Sequence, residues 1–319
     1  GIRDKLVTGV QTCALPICHE LQECGVTARR GSIACPYHAW TYALDGSLTQ
    51  TPRFEAPPDF DAAEMGLFAL RVEEWQGFAM LNVSGDAAPL SDHVGRLGDI
   101  LAPYGMEHLQ EAAAHRYESP SNWKLPIENY HECYHCSAIH PELCVLSPPD
   151  SGDNHPAGEL WAGGTMNLRD GVETMSTDGR SRAPFLVGLD DRERRQVLYV
   201  GLFPNLLISA HPDYVMVHRI EPESPRFTRV ECSWLFAPGA TDAPGFDLAP
   251  VIDFWDLTNR QDWSACEGVQ RGIESVGADG AGFVPGPFSM REDAVAQWVR
   301  TVARSYLAGR VVPDQPPAG

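Results

Sequence analysis

Four strand-like segments followed by two long helical segments dominate the second half of this chain. Apolar and aromatic residues predict strands at 197–203, 206–210, 214–220 and 228–236, and the last of these alternates like a half-buried antiparallel strand. Helical periodicity follows at 249–275 and 291–307. Upstream, residues 123–127 predict a strand leading into a His- and Glu-rich run, which we place on a helix ended by Pro141. From Ala112 onward the sequence therefore predicts a domain that mixes α and β structure.

The first part of the chain has a different pattern, of short strands separated by turns. Strands are predicted at 32–34, 40–42, 67–72 and 78–83, with a strong hairpin signal at Asp45-Gly46. A segment at 85–90 with Gly, Ala and Pro reads as a linker. Residues 1–17 show no strand or helix period, and we expect them to be a foreign leader derived from sequencing-adapter read-through. The prediction is a leader at 1–17, a β-rich domain at 18–86 and a larger domain at 87–319.

The stretch Asn129 to Pro141, NYHECYHCSAIHP, contains two different metal-binding patterns. His131, Glu132 and His135 spell H-E-x-x-H, the helical zinc motif of metallopeptidases. Glu132, His135 and His140 instead place two histidines after an acid, which suits a mononuclear iron site with open coordination positions. Both patterns indicate a metalloenzyme, so the rest of the sequence has to decide between them.

A second candidate metal-binding pattern lies in the β-rich part, in the run CPYHAWTY at 35–42. Cys35 and His38 offer one thiolate and one imidazole beside a proline and a hairpin, which can bind one edge of a metal cluster. A Rieske 2Fe-2S cluster takes two such pairs, with cysteines on one iron and histidines on the other. Trp40 and Tyr42, just before the hairpin, make the pattern more specific than an isolated C-x-x-H.

Together these two regions resemble the Rieske oxygenases, the alpha subunits of ring-hydroxylating and related enzymes. GSIACPYHAWTYALDGSL at 31–48 is similar to the second cluster-binding loop of that family, and NWKLPIENYHECYHCSAIHPEL at 122–143 is similar to its iron loop. The resemblance implies that Cys35 and His38 bind a Rieske 2Fe-2S cluster. The family's upstream C-x-H pair is absent, so we expect that loop to have been lost and the cluster site to be incomplete. Three residues remain open as substitutes: Cys18, His19 and Cys24.

The same resemblance implies that His135 and His140 bind a mononuclear non-haem Fe(II). It also implies that Glu132 connects the Rieske histidine of a neighbouring subunit to an iron histidine. A third ligand has to come from elsewhere in the fold, and Asp262 lies on a mainly apolar helical stripe, where a carboxylate is costly unless it is paired or bound to metal. The family carries its carboxylate ligand in a similar context, which also selects Asp262. Asp256 and Glu267 lie off the stripe, and we expect them to be solvated.

For the fold, the resemblance implies an α+β protein: a β-rich Rieske domain, then a helix-grip domain of the SRPBCC or START type with a curved antiparallel sheet. For function, it implies the oxygenase component of a multicomponent system that hydroxylates a small molecule with O2. Electrons would come from NAD(P)H through a separate flavin and iron–sulfur reductase, with or without a ferredoxin. Family members are usually homotrimers, in which the cluster of one subunit serves the iron of its neighbour.

The substrate stays open between an aromatic ring and a quaternary amine, as does mono- versus dioxygenation. Glu at position 132 resembles family members that oxidise quaternary amines, for which an aromatic cage is expected. Candidates for such a cage are Tyr199, Phe203, Tyr214 and Trp234.

Two other classes of function remain as alternatives. A zinc metallopeptidase would use His131 and His135 with Glu132 as general base, but it leaves Cys35-x-x-His38, His140 and Asp262 unexplained. A non-catalytic SRPBCC-type ligand carrier would bind no iron and would lose nothing when His135 is replaced.

Charge and cysteine content limit the partners and the location. The formal net charge of −19 argues against nucleic acid or an anionic membrane as partner. No run approaches the roughly 18 consecutive apolar residues of a membrane span. Nine cysteines without an export signal fit a reduced, cytoplasmic protein better than a secreted disulfide framework. Five cysteines are expected to be small buried apolar side chains: Cys133, Cys136, Cys144, Cys232 and Cys266.

Overall fold

A computed structural model describes residues 13–14, 17–18, 21, 31–156, 158, 160–276, 282–289 and 293–307. The chain divides into two compact units, one comprising 1–74 and 79–87 and the other 75–78 and 88–319. The domain boundaries expected from the sequence stay predictions. Apart from Cys13, Ala14 and Ile17, the leader at 1–17 lies outside the described residues.

Short antiparallel strands make up the described part of the first unit. Tyr42 is 1% exposed at the centre of a three-stranded sheet. The hairpin predicted at Asp45-Gly46 is present: Gly46 has a φ of 88°, and Asp45 Oδ1 accepts the backbone N–H of Ser47 at 2.9 Å. The strands are β1 (Cys13–Ala14), β2 (Ile17–Cys18), β3 (Ser32–Ala34), β4 (Thr41–Ala43), β5 (Leu48–Gln50), β6 (Arg71–Trp75) and β7 (Phe78–Asn82), of which β6 and β7 form a separate pair.

A six-stranded antiparallel sheet forms the framework of the second unit. Its strands are β8 (Gln110–Ser119), β9 (Trp161–Asn167), β10 (Gln196–Leu202), β11 (Leu206–Ala210), β12 (Tyr214–Ser224) and β13 (Phe227–Phe236). The order across the sheet is β8-β13-β12-β11-β10-β9, so the last five strands form a meander and β8 joins at its far edge. The antiparallel sheet expected from the family resemblance is confirmed.

Helices bring the site residues to this sheet. They are α1 (Leu90–Val94), α2 (Leu97–Leu101), α3 (Lys124–Tyr130), α4 (Cys136–Ile139), α5 (Pro141–Leu146), α6 (Ala249–Ser275) and α7 (Asp293–Leu307). Short 3-10 turns lie at Ala62–Met65, Ala102–Tyr104, Met106–His108 and Glu193–Arg195. The apolar stripe of α6 buries Phe254, Trp255 and Trp263 in the same core as Tyr214 and Trp234 of the sheet. Each such side chain contributes roughly 1.5–3 kcal/mol on burial, so α6 is held firmly against the sheet. No helix in the described part of the chain is long and apolar enough to cross a membrane.

Several local predictions were wrong, and the reasons are physical. Residues 123–127 lie largely in α3 rather than in a strand, because Pro126 is tolerated in the first turn of a helix. Pro141 begins α5 rather than ending a helix, the position where its missing N–H costs nothing. The strand predicted at 67–72 lies a few residues later, at β6 (Arg71–Trp75). Strands β8 and β9 were not predicted. In β9 the pair Gly163-Gly164 obscures the strand pattern in the sequence, because Gly is depleted in strands.

Candidate metal centre

The segment from α3 to α5 turns twice, and each turn carries one of the candidate histidines. α3 ends at Tyr130, so His131 to His135 follow as a turn and the H-E-x-x-H letters do not lie on one continuous helix. His135 immediately precedes α4, and His140 lies between α4 and α5, where its backbone N–H donates to Cys136 O at 2.9 Å. The two turns therefore direct both imidazoles toward α6.

Asp262 of α6 meets both histidines and completes a three-residue cluster. Its Oδ1 lies 2.8 Å from His140 Nε2 and 3.5 Å from His135 Nε2. One donor atom from each of the three residues lies within 4.8 Å of the others. Two imidazole nitrogens and one carboxylate oxygen are the donor set of a facial triad for non-haem iron, so the residues present fit this metal.

The outer nitrogen of each histidine has a partner of its own. Glu132 Oε1 lies 2.5 Å from His135 Nδ1, and Glu132 Oε2 accepts the backbone N–H groups of Tyr134 and His135. Gln261 Oε1 lies 2.7 Å from His140 Nδ1. Both Nε2 atoms thereby face Asp262, which is the arrangement expected of histidines that could bind a metal.

In the absence of metal, the histidines and carboxylates of the cluster stabilise one another's charged forms. Burial disfavours the charged form of His135, but hydrogen bonds with Asp262 and Glu132 outweigh it and raise the pKa of His135 to about 9. The pKa of His140 is also raised, because Asp262 outweighs the effect of burial. Burial would raise the pKa of Asp262, yet its hydrogen bonds with His135 and His140 bring that pKa below its ordinary value. Metal binding here therefore displaces protons from imidazole and leaves the carboxylate ionised.

His131 is not part of this cluster. Its side chain is buried, its ring stacks on Trp298 of α7 at 5.2 Å, and a Cβ added at Gly201 would lie 2.3 Å from its Nε2. Burial lowers the pKa of His131 to about 3, so the ring is neutral. The zinc peptidase alternative needs His131 and His135 on one helix face, and the structure provides neither the helix nor the contact.

A cavity of about 1040 Å³ opens at the cluster. Acidic side chains at its wall are Glu132, Asp150, Asp153 and Asp262, and aromatic side chains are Tyr130, Tyr134, Tyr199, Trp255 and Trp263. No Lys or Arg occurs among the described residues that line it. The residues lining the cavity therefore include acidic and aromatic groups of the kind that attract a small cation.

Of the four aromatic residues named from the sequence as cage candidates, one lines the cavity. Tyr199 lines the cavity, but Phe203, Tyr214 and Trp234 do not. Tyr214 and Trp234 are fully buried in the core, and Phe203 packs on Trp298. Inward-facing strand aromatics fill a core by default, and the sequence alone does not distinguish these from a cavity wall.

The cysteines differ partly from expectation. Cys133 and Cys136 form a disulfide within the stretch from α3 to α5, called the metal segment below, so they are not two separate buried thiols. Cys232 and Cys266 are buried free thiols as expected, and Cys144 is free but only half-buried. The side chain of Glu267 is partly exposed and pairs with Arg271, which fits its expected solvated position. Asp256 pairs with Arg260 but is half-buried and accepts a hydrogen bond from Tyr117 Oη at 3.0 Å, so it is not fully solvated as expected.

The candidate cluster ligands lie on the turn between β3 and β4. Cys35 is a buried free thiol and His38 is exposed. Cys35 N–H donates to Trp40 O at 2.8 Å, which closes the turn. These two residues would supply half of the four donors that a Rieske cluster needs. His19, Cys24 and the side chain of Cys18, the candidates for the other half, lie outside the described residues.

Some contributors to the site carry no recognisable sequence signal. Gln261 is separated from His140 by 121 residues, and Asn129 Nδ2 lies 3.3 Å from both ring nitrogens of His135. Both are ordinary polar residues in their local sequence, although Gln261 precedes Asp262 directly. Only the packing of α6 on the metal segment identifies them.

Comparison with known proteins identifies both parts of the chain. Residues 106–308 match the family model described as the ring hydroxylating alpha subunit (catalytic domain), and residues 4–68 match the Rieske 2Fe-2S domain. The glycine betaine monooxygenase oxygenase subunit of Chromohalobacter salexigens is 31% identical over 294 residues, which covers 82% of this chain and 65% of that relative. The chain thus spans just under two thirds of the length of this relative.

Solved structures share the fold. A quaternary ammonium Rieske monooxygenase, described in relation to carnitine oxidation by gut microbiota and inter-subunit electron transfer, aligns with a TM-score of 0.74 at 22% identity, covering 93% of this chain and 77% of that chain. Naphthalene 1,2-dioxygenase from Rhodococcus sp. aligns with a TM-score of 0.69 at 18% identity, covering 94% and 80%. The α+β architecture expected from the sequence is therefore confirmed. By the match over residues 106–308, the chain belongs to the ring-hydroxylating alpha subunit family of Rieske oxygenases.

Proposed function

We propose that this chain is the oxygenase component of a Rieske system that hydroxylates a small quaternary-ammonium compound with O2. His135, His140 and Asp262 would hold the mononuclear iron, and bound iron would supply the activation of O2. Electrons would come from NAD(P)H through a separate reductase, and Cys35 and His38 would contribute to the Rieske cluster. The family assignment and the donor set at Asp262 support this activity.

The observation that carries the substrate class is the wall of the cavity beside the metal cluster. Two carboxylates outside the histidine cluster, Asp150 and Asp153, and five aromatic residues line it, and Lys and Arg are missing from its described lining. A trimethylammonium group gains roughly 0.5–2 kcal/mol over an aromatic face, and nearby carboxylates add to that attraction. A neutral aromatic substrate gains from the rings alone. The relative that acts on glycine betaine supports the same class.

The side chains around the cavity have two further roles: they orient a candidate ligand and they form a rigid wall. Glu132 orients His135 by accepting a hydrogen bond from its Nδ1. Tyr130 is fixed by its hydroxyl, which donates to Ile208 O at 2.7 Å, so its ring presents a rigid wall. Trp255 is fixed similarly, because its Nε1 donates to Tyr214 Oη at 2.7 Å. A rigid apolar wall excludes water and holds the substrate beside the metal cluster.

Glu132 has a second role in this proposal, as the link to the Rieske unit of a neighbouring copy in a homotrimer. Its side chain is 24% exposed, so the carboxylate that holds His135 can also be reached from outside. Inter-subunit electron transfer is described for the quaternary ammonium monooxygenase of similar fold. With a reconstituted full-length chain, Glu132→Ala should keep its iron and still allow the Rieske cluster to be reduced, but O2 consumption and product formation should both fall because electrons no longer pass to the iron. Unchanged turnover would contradict the linking role.

Matched ligand pairs test the substrate class directly. Choline and its neutral carbon isostere 3,3-dimethylbutan-1-ol have the same shape and differ in charge, and tryptophan fluorescence can follow binding because Trp255 and Trp263 line the cavity. We expect the cation to bind about tenfold or more tightly, which corresponds to about 1.4 kcal/mol. Equal binding of the two, or a preference for naphthalene or indole over both, would refute a quaternary-ammonium substrate and favour aromatic hydroxylation.

A further inference from the structure

Gln261 stands immediately before the candidate ligand Asp262 on α6, and its side chain reaches the other end of the triad. Gln261 Oε1 lies 2.7 Å from His140 Nδ1, while Gln261 Nε2 donates to Glu142 Oε2 at 3.4 Å. Because a carboxylate only accepts, the contact with Glu142 orients the amide with its nitrogen outward and its oxygen toward His140.

This orientation determines which nitrogen of His140 carries a proton when metal is bound. An amide oxygen can only accept, so Nδ1 must donate, and Nε2 keeps its lone pair for the metal. Nε2 is also the atom 2.8 Å from Asp262 Oδ1, so the lone pair points to the place where the ligands converge. With the opposite tautomer, Nε2 would present a proton to the metal.

We propose that Gln261 is the positioning residue that fixes the tautomer and ring orientation of His140 for metal binding. The inference rests on the proposed iron site. His140 depends on this contact because its side chain is 2% exposed, and water cannot take the place of the amide. His135 differs: its side chain is 19% exposed, and its outer nitrogen is held by a carboxylate.

The choice of a neutral amide also has a consequence for charge. Glu132 already places one negative charge beside the histidine pair, and Asp262 places another. Gln261 orients His140 without adding a third. One turn of α6 thus supplies both a ligand and the orienting group of a second ligand, so the two move together as one rigid part.

The test is a metal titration of the full-length chain, with Co(II) in air and Fe(II) under anaerobic conditions. Gln261→Met removes the acceptor at similar volume, and we expect metal affinity to fall about 10–100-fold. Gln261→Glu restores an acceptor and should recover affinity to within about threefold of the native chain. Gln261→Asn keeps an amide that is one methylene too short to reach Nδ1, and it should behave like Gln261→Met. Glu267→Gln is the matched control, because it removes a carboxylate of α6 that pairs with Arg271 and does not contact the triad, and it should leave metal affinity unchanged.

Readouts other than activity separate positioning from a general loss of structure. The visible Co(II) spectrum should change in Gln261→Met and return in Gln261→Glu, while far-UV circular dichroism of the metal-free protein should show the native fold in all variants. Native affinity in Gln261→Met, or an equal loss in Gln261→Glu, would overturn the inference. A native chain that binds no metal at the triad would instead overturn the proposed function itself.

Discussion

Metal binding at the triad should depend strongly on pH, because each metal ion must displace protons. The pKa of His135 is raised to about 9 in the metal-free protein, chiefly by Asp262 and Glu132 acting against burial. At pH 7 only about 1 in 100 of these imidazoles is neutral, which costs metal binding about 2.7 kcal/mol. Below this pKa, each rise of one pH unit makes the free energy of metal binding more favourable by about 1.4 kcal/mol. His140, whose pKa is also raised, adds a second contribution of the same sign.

We therefore expect the Co(II) affinity of the full-length chain to rise at least about 100-fold between pH 6 and pH 8. Competition with a chelator of known pH dependence measures it. Glu132→Gln removes the charge that helps hold the proton on His135, so its pH profile should be flatter and should level off at lower pH. Glu142→Gln, which removes a carboxylate that contacts neither histidine, should leave the slope unchanged. A native affinity that changes less than about threefold over this range would refute the proton displacement.

Three further predictions concern the site and its support. Asp262→Ala should lower iron occupancy sharply, as measured by metal analysis after gel filtration, and retained iron would show that another carboxylate is the ligand. Trp298→Ala should lower the free energy of unfolding by about 3–5 kcal/mol in urea titrations, because the residue is fully buried beside His131; a loss under about 1 kcal/mol would contradict that packing. His131 has its pKa lowered to about 3, so the unfolded state binds the extra proton and stability is lost as pH falls from about 6.5 toward 3. His131→Gln should reduce that slope by about 1.4 kcal/mol per pH unit in urea titrations across this range, and an unchanged slope would contradict a neutral buried ring.

Residue types, periodicity and spacing within a single helix or loop were enough to predict some of the site residues. Asp262 could be found because a carboxylate on an apolar helix stripe is anomalous, and the long periodic helix α6 has the predicted bounds, 249–275. His135 and His140 came from their spacing and resemblance, and the structure places both beside Asp262. Their role as ligands stays a prediction until metal is measured.

What the sequence could not predict depends on contacts between distant segments. Gln261 is one polar residue among many until α6 packs on His140, 121 residues away in the chain. The short helix α3 has too few turns for a clear period, so residues 123–127 were read as a strand. Tyr199 lines the cavity whereas Tyr214 belongs to the core, although both are tyrosines on strands of the same sheet.

The triad joins points of the chain that are far apart, since His140 and Asp262 are separated by 122 residues. An ion held by both acts as a removable cross-link between the metal segment and α6. By mass action, a metal present at about 100 times its dissociation constant adds about 2.7 kcal/mol to stability, an effect that vanishes when the metal is withdrawn. Iron supply would then set the stability of the folded protein as well as its activity.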